Sequence, residues 1–188
     1  MSIPVPRPEQ PAPTAEEVTM RLLADPDRMR ELARIDLDDP VLRARLDAIA
    51  RDTRERLGAT ISLITLVLDS VQLIAGSDGL DGWMAAAGGT PVEWSFCANA
   101  VLSGRPYVVE DAARDPRQLA NPLVTQDGIA SYCGVPLTGS SGQVLGAHCV
   151  LGRQPEEYTA EHLAALHEAG LEVSRVLAEY TQSPAAAD

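Results

Sequence analysis

The chain has 188 residues, 45% hydrophobic but only 4% aromatic, enough for one domain with appendages whose core is built from Leu, Val, Ile and Ala. A formal net charge of −12 makes a surface that repels phosphate backbones, which argues against direct nucleic-acid binding. All 15 basic residues are Arg, so Schiff-base lysine chemistry and a lysine-bearing phosphate loop are excluded.

In chain order, residues 1–13 hold five prolines and are expected to form an extended or disordered tail. Thr14 followed by Glu17 is a capping-box signature that opens a short helix to about residue 24. Asp25-Pro26 and Asp39-Pro40 each read as an N-cap followed by the first helical position. They start a second helix and a longer one over 40–57, where Leu42, Leu46, Ile49 and Leu57 share a face and Gly58 is the stop. Residues 14–39 are thus an N-terminal helical segment, ahead of a domain over 40–181 and a flexible tail over 182–188. Residues 59–68 read as a strand that is apolar on both parities, hence covered on both faces. After a turn at Asp69-Ser70, a second strand runs over 71–75. The glycine-rich stretch 76–91 reads as a loop of the kind that caps a pocket, with a short helix around Trp83-Met84.

The segment 94–152 carries the densest pattern. Ser95 as N-cap and Gly104 as stop bracket a short helix. A strand over 106–109 leads to the acidic corner Glu110-Asp111, then to a loop with Asp115-Pro116-Arg117 and Asn121-Pro122. Two strands follow, paired across Gly139-Ser140-Ser141-Gly142. Thr159 opens a last helix to about residue 180, with Leu163, Leu166, Val173, Leu177 and Tyr180 along a heptad-like seam. That seam either packs on the sheet or forms a dimer surface. The whole order is that of an α+β domain on an antiparallel sheet.

The cysteines divide by register. Three of them, Cys97, Cys133 and Cys149, are too widely spaced for a disulfide framework or a zinc ribbon. If Ser140-Ser141 is the hairpin centre, Cys133 faces His148 and Tyr132 faces Cys149, and alternation puts the two pairs on opposite faces. Cys133 with His148 reads as part of a metal or haem site, as a thiol activated by imidazole, or as a packed cysteine beside a hydrogen-bonded histidine. Cys97, at a helix N-terminus, is placed for a lowered thiol pKa. Asp111 and Asn121 read as a polar rim that orients a ligand, or as local turn chemistry. Tyr132 closes a pocket or fills the core, and Trp94 is a packing lid. His162 and His167 read as surface residues.

The motifs Ser95-Phe96-Cys97, Pro106-x-Val108-Val109-x-Asp111, Asp115-Pro116-Arg117, Asn121-Pro122, Tyr132-x-Gly134-x-Pro136-Leu137 and Gly142-x-x-Leu145-Gly146 stand in an order that resembles the GAF domain over about 40–180. This is a small-molecule-sensing fold related to PAS domains. The resemblance implies a central antiparallel sheet of five to six strands with the N- and C-terminal helices on one face. Loops and short helices form a pocket on the other face, and copies pair as a homodimer through the terminal helices. It places ligand-binding residues among Trp94, Phe96, Cys97, Asp111, Asn121, Tyr132, Cys133 and His148, with no catalytic residue and no metal ligand. The Asn-Lys-Phe-Asp-Glu signature of cyclic-nucleotide-binding GAF domains is absent. The cassette is also similar to free methionine-(R)-sulfoxide reductase, an enzyme on the same fold. Cys97 matches one of its cysteines, but Leu119-Ala120-Asn121 stands where its attacking cysteine lies.

The expected function is therefore a stand-alone sensory or regulatory domain, not an enzyme. It binds a small molecule or responds to redox state, requires no cofactor, and signals in trans to a partner protein, since little chain follows the last helix. No secretory leader opens the chain and the apolar run 61–68 is too short to span a bilayer, so a cytoplasmic protein without a membrane partner is expected. The alternatives are a reductase, a haem or metal sensor using Cys133 and His148, and a structural adaptor with a collapsed pocket.

Overall fold

Asp25 and Asp39 cap the helices that their following prolines announce. Asp25 accepts from the backbone N–H groups of Asp27 and Arg28, and Asp39 from those of Val41 and Leu42. In the computed structural model, which describes residues 15–181, these helices are α2 (Pro26–Leu32) and α3 (Pro40–Leu57), preceded by α1 (Ala15–Leu23). The tails expected over 1–13 and 182–188, and the Thr14 cap, lie outside the described residues.

Two strands follow, β1 (Ile61–Val67), buried along its whole length as its double-sided apolar pattern requires, and β2 (Val71–Asp78). The glycine-rich stretch holds α4 (Gly82–Ala87) and a three-residue edge strand, β3 (Gly89–Pro91), which the sequence did not announce. Next come α5 (Cys97–Ser103), β4 (Tyr107–Val109) and the single turn α6 (Pro122–Thr125). The hairpin β5 (Ser131–Thr138) and β6 (Val144–Gly152) leads to α7 (Ala160–Glu179), capped by Thr159. Ser95 does cap α5, its Oγ accepting from the Ala98 N–H at 3.0 Å. All strand pairs are antiparallel, and the six strands lie in the order β3-β2-β1-β6-β5-β4.

One face of this sheet is covered by α3 and α7. Leu42, Leu46 and Ile49 of α3 and Leu166, Val173 and Leu177 of α7 meet Ile64, Leu66, Val135 and Leu137 from the strands. The seam of the last helix is thus taken up by the chain's own core. Opposite, α4, α5 and α6 close over Ile61, Leu63, Tyr132, Cys149 and Leu151.

The hairpin register differs from the expected one. Cys133 lies opposite Val150, and His148 opposite Val135. The turn is a three-residue loop, Ser140-Ser141-Gly142, with Gly142 in the left-handed region at φ 85° and the Gly142 N–H bonded to the Gly139 carbonyl. A bulge at Leu137/Thr138 adds a second one-residue shift. Two such shifts restore parity, so Cys133 and His148 still share one face and Tyr132 and Cys149 the other, but Cys133 and His148 are not directly opposed.

Candidate functional site

The face under α4 and α5 encloses a cavity of about 20 Å³, room for one water-sized molecule. Its walls are largely apolar: Ile61 and Leu63 from β1, Leu80 and Met84 from the α4 lid, Phe96 from the entrance to α5, and Leu151 from β6. A few polar groups converge on it, namely Gln72, Thr90, Tyr132 and the thiols of Cys97 and Cys149. Such a ratio of apolar wall to convergent polar groups is usual for small-molecule sites.

Tyr132 organises the site. Its ring stacks on Phe96, centroids 5.2 Å apart, and tilts against Tyr107 at 5.7 Å. Its hydroxyl donates to Cys97 Sγ at 3.3 Å, and Cys97 Sγ lies 3.7 Å from Cys149 Sγ. Burial, then the neighbouring thiols, push the Tyr132 phenol well above its ordinary value, and burial does the same to Cys149. At Cys97 burial acts in that direction too. Hydrogen bonds from Cys149, Thr65 and Tyr132 outweigh it, and its thiol lies below the usual range. On the far wall Gln72 donates to Thr90 at 3.4 Å and accepts from the Ser95 hydroxyl, tying β2, β3 and the α5 cap together.

Of the residues expected to bind ligand, Phe96, Cys97 and Tyr132 line this cavity. Trp94 does not line the cavity; it packs against the surrounding core, edge-on to Trp83 with centroids 6.2 Å apart. Asn121 is stitched in: its amide donates to the Trp94 carbonyl and to Gln118, and its Oδ1 accepts from Leu123 N–H. Asp111 accepts from Ala113 N–H and pairs with Arg114 at 3.4 Å, on the outer surface beside Asp115 and Arg117. Asp115 is clamped by Arg117, whose hydrogen bonds hold its carboxyl below the usual range.

Cys133 and His148 lie away from the cavity. Both are fully buried on the opposite face, beneath the helix layer that α3 and α7 form. Burial pushes the Cys133 thiol up to about 12 and the His148 imidazole down to about 4. His148 Nε2 meets Ser62 Oγ at 3.3 Å, while its Nδ1 has no partner. Among the described residues no three His, Cys, Asp or Glu side chains converge as metal ligands would. His162 is a cap rather than a bare surface residue, its Nδ1 accepting from Thr159 N–H. Sequence reasoning missed three polar groups of the cavity wall, Gln72, Thr90 and, most consequentially, Cys149. The face of Cys149 was legible, but not that α5 would lay Cys97 against it.

An antiparallel sheet with helices on one face and a small lidded cavity on the other defines an α+β domain with a candidate small-molecule site. The GAF domain model matches residues 41–177, and the chain belongs to the GAF domain family. A cyclic di-GMP phosphodiesterase of Pseudomonas aeruginosa is 37% identical over 119 residues, which are 62% of this chain and 19% of that protein, so the chain spans about a fifth of that relative's length. Among solved structures, the type II free methionine-R-sulfoxide reductase of Thermoplasma acidophilum superposes with a TM-score of 0.62 at 16% identity, over 78% of this chain and 99% of the other. The GAF domain of an Acinetobacter phosphoenolpyruvate-protein phosphotransferase gives 0.60 at 18% identity, over 89% and 96%. At these identities the structures share the fold. The expectation that the chain is not an enzyme is corrected here. A relative named as a phosphodiesterase and neighbours named as reductases mean that this family and fold do not set a chain apart from catalysis. Among the described residues no helix is long and apolar enough to cross a membrane.

Proposed function

We propose that this chain is a sensory or regulatory GAF domain whose ligand is a small, mostly apolar molecule held between the sheet and the α4–α5 cover. The observation that carries this reading is the cavity itself, apolar in its walls, with Tyr132, Gln72 and Cys97 as its polar contacts. At about 20 Å³ it is closed, so binding an organic molecule requires α4 to move outward and Leu80 and Met84 to part. The signal then leaves through the outer surface to a partner protein or a second copy. The exposure of Val41 on α3 and Leu171 on α7, 58% and 55%, supports the terminal-helix face as the surface for such a homodimer contact.

The test is native mass spectrometry of the protein as purified, followed by titration of any released molecule against tryptophan fluorescence, since both tryptophans, Trp83 and Trp94, flank the lid. An adduct lost on denaturation, with saturable quenching on its return, is the expected result. A bare mass and no spectral change across a metabolite panel overturns it. The same preparation is assayed with free methionine-R-sulfoxide and a thiol reductant, because the reductase likeness and the cavity thiols favour that as a second reading. Turnover abolished by Cys97→Ser supports it, and no turnover ends it.

A further inference from the structure

The two cavity thiols have a geometry that small-molecule binding alone does not explain. Cys97 comes from the first turn of α5 and Cys149 from the middle of β6, 52 positions apart, yet their sulfurs sit 3.7 Å from each other. A disulfide bond is about 2.05 Å long, so closure asks for roughly 1.7 Å of approach, within reach of a side-chain rotation and a small shift of the α5 terminus. Both sulfurs line the cavity, whose 20 Å³ admits a molecule little larger than water. The Tyr132 hydroxyl donates to Cys97 Sγ, the arrangement that favours a thiolate there rather than at its neighbour.

We propose that Cys97 and Cys149 form a peroxide-reactive dithiol that closes to an intramolecular disulfide inside the cavity. The inference deepens the regulatory reading above by naming what the site reacts with. The Cys97 sulfur attacks one oxygen of hydrogen peroxide. A sulfur–oxygen bond forms, the oxygen–oxygen bond breaks, and the departing hydroxide takes the thiol proton and leaves as water. The Cys149 sulfur then attacks the sulfenic sulfur of Cys97. The sulfur–sulfur bond forms, the sulfur–oxygen bond breaks, and the hydroxyl leaves with the Cys149 proton as a second water. Two thiols are oxidised, one peroxide is reduced to two waters, and nothing else is consumed. Cys133 takes no part. It lies on the other face, its thiol pushed up to about 12, and it serves as an internal control.

The experiment is a thiol count and peptide map of the reduced protein before and after hydrogen peroxide. The expected result is a fall in free thiols under denaturing conditions from three to one, a mass lower by two hydrogens, and a single cross-linked peptide pair joining Cys97 to Cys149 that dithiothreitol reopens. Cys97→Ser and Cys149→Ser each abolish the pair, and Cys133→Ser keeps it. If a serine variant does not fold, the wild-type map alone decides. Thiols that remain fully alkylatable after peroxide, a bridge that includes Cys133, or a bridge between two molecules overturns the proposal. Oxidised glutathione, too large for the cavity, is expected to close the pair far more slowly, and closure at an equal rate overturns the peroxide assignment. Failure here is separable from failure of the ligand reading. A protein that binds its small molecule while both thiols stay free sinks this proposal alone, and a disulfide formed in ligand-free protein supports it without any ligand.

Discussion

A single missing side chain lets Tyr132 lie where it does. Gly134 is two positions along the same strand face, and a Cβ there would stand 2.1 Å from the Tyr132 hydroxyl oxygen and 3.0 Å from Cys149 Cβ. The phenol folds along β5 over that gap, which brings its hydroxyl to Cys97. On the sheet's other face, His148 poses the opposite problem, a polar ring in a layer built for aliphatic groups. Burial holds its pKa near 4, against an ordinary 6.5, so the folded protein keeps the imidazole neutral while the unfolded chain protonates it. Between those two values the unfolded state binds more protons, so stability is intact above about 6.5 and falls as pH drops toward 4. The loss amounts to about 3 kcal/mol by pH 4, because each tenfold difference in proton affinity between the two states is worth about 1.36 kcal/mol. Urea denaturation of wild type and His148→Gln at neutral and acid pH isolates it, because the surface carboxylates titrate alike in both. The wild type is expected to lose about 3 kcal/mol more than the variant over that range. Parallel losses would show that His148 does not carry the penalty.

The elements differ in how much of them the sequence announced. Asp-Pro pairs and Thr159 mark helix starts because a cap is a local bond, complete within three residues. Strand parity was legible for the same reason, and it placed Tyr132 with Cys149. The β5–β6 register was not, because one residue more in the turn and one bulge decide it, and Glu31 of α2 grips Ser140 and Ser141 of that turn from outside the hairpin. Nor was β3, three residues whose only reason to be a strand is the free edge of β2. The α4 lid was legible as a short helix in a capping loop, but the distant partners that hold it were not. Trp83 donates to Asp127 at 2.6 Å while 43% exposed, and Arg153 reaches both Asp81 and the Asp127 carbonyl. Replacing Trp83 by Ala removes a charge-assisted hydrogen bond and the edge contact to Trp94, a loss of about 1.4 kcal/mol for the closed lid and about tenfold in its opening. Native-state alkylation of Cys97 and Cys149 by a small reagent is expected to speed up by about that factor, with global stability changed by less than about 1 kcal/mol. An unchanged labelling rate would mean the cavity is reached by another route.

At the scale of the whole molecule, the segment ahead of the family match is sewn into the fold by one buried cation. Arg28, 3% exposed, donates Nε to the Val144 carbonyl at 2.8 Å and its terminal nitrogens to the carbonyls of Leu23, Val67 and Leu145. Those acceptors lie in the last turn of α1, at the end of β1 and at the start of β6, so one side chain joins three elements. Burial lowers the Arg28 pKa to about 10, so it remains charged at neutral pH. A planar fork with five donors suits several carbonyls at once, and a lysine ammonium does not. Glu31, one helical turn on, holds the β5–β6 turn, and the bridge between Ile35 and Thr181 brings the segment against the end of α7. Any signal that shifts α7 or the ends of the central strands β1 and β6 therefore bears on this segment. Arg28→Met keeps the volume and removes the guanidinium donors from these carbonyls, which is expected to cost on the order of 3 kcal/mol in urea unfolding. Arg28→Lys should recover less than half of that loss. Limited proteolysis of Arg28→Met should cut within α1 and α2 before it reaches the sheet, since those helices lose their main polar tie. Equal stability of the Met variant would show that packing of Leu23 and Leu32 alone holds the segment in place.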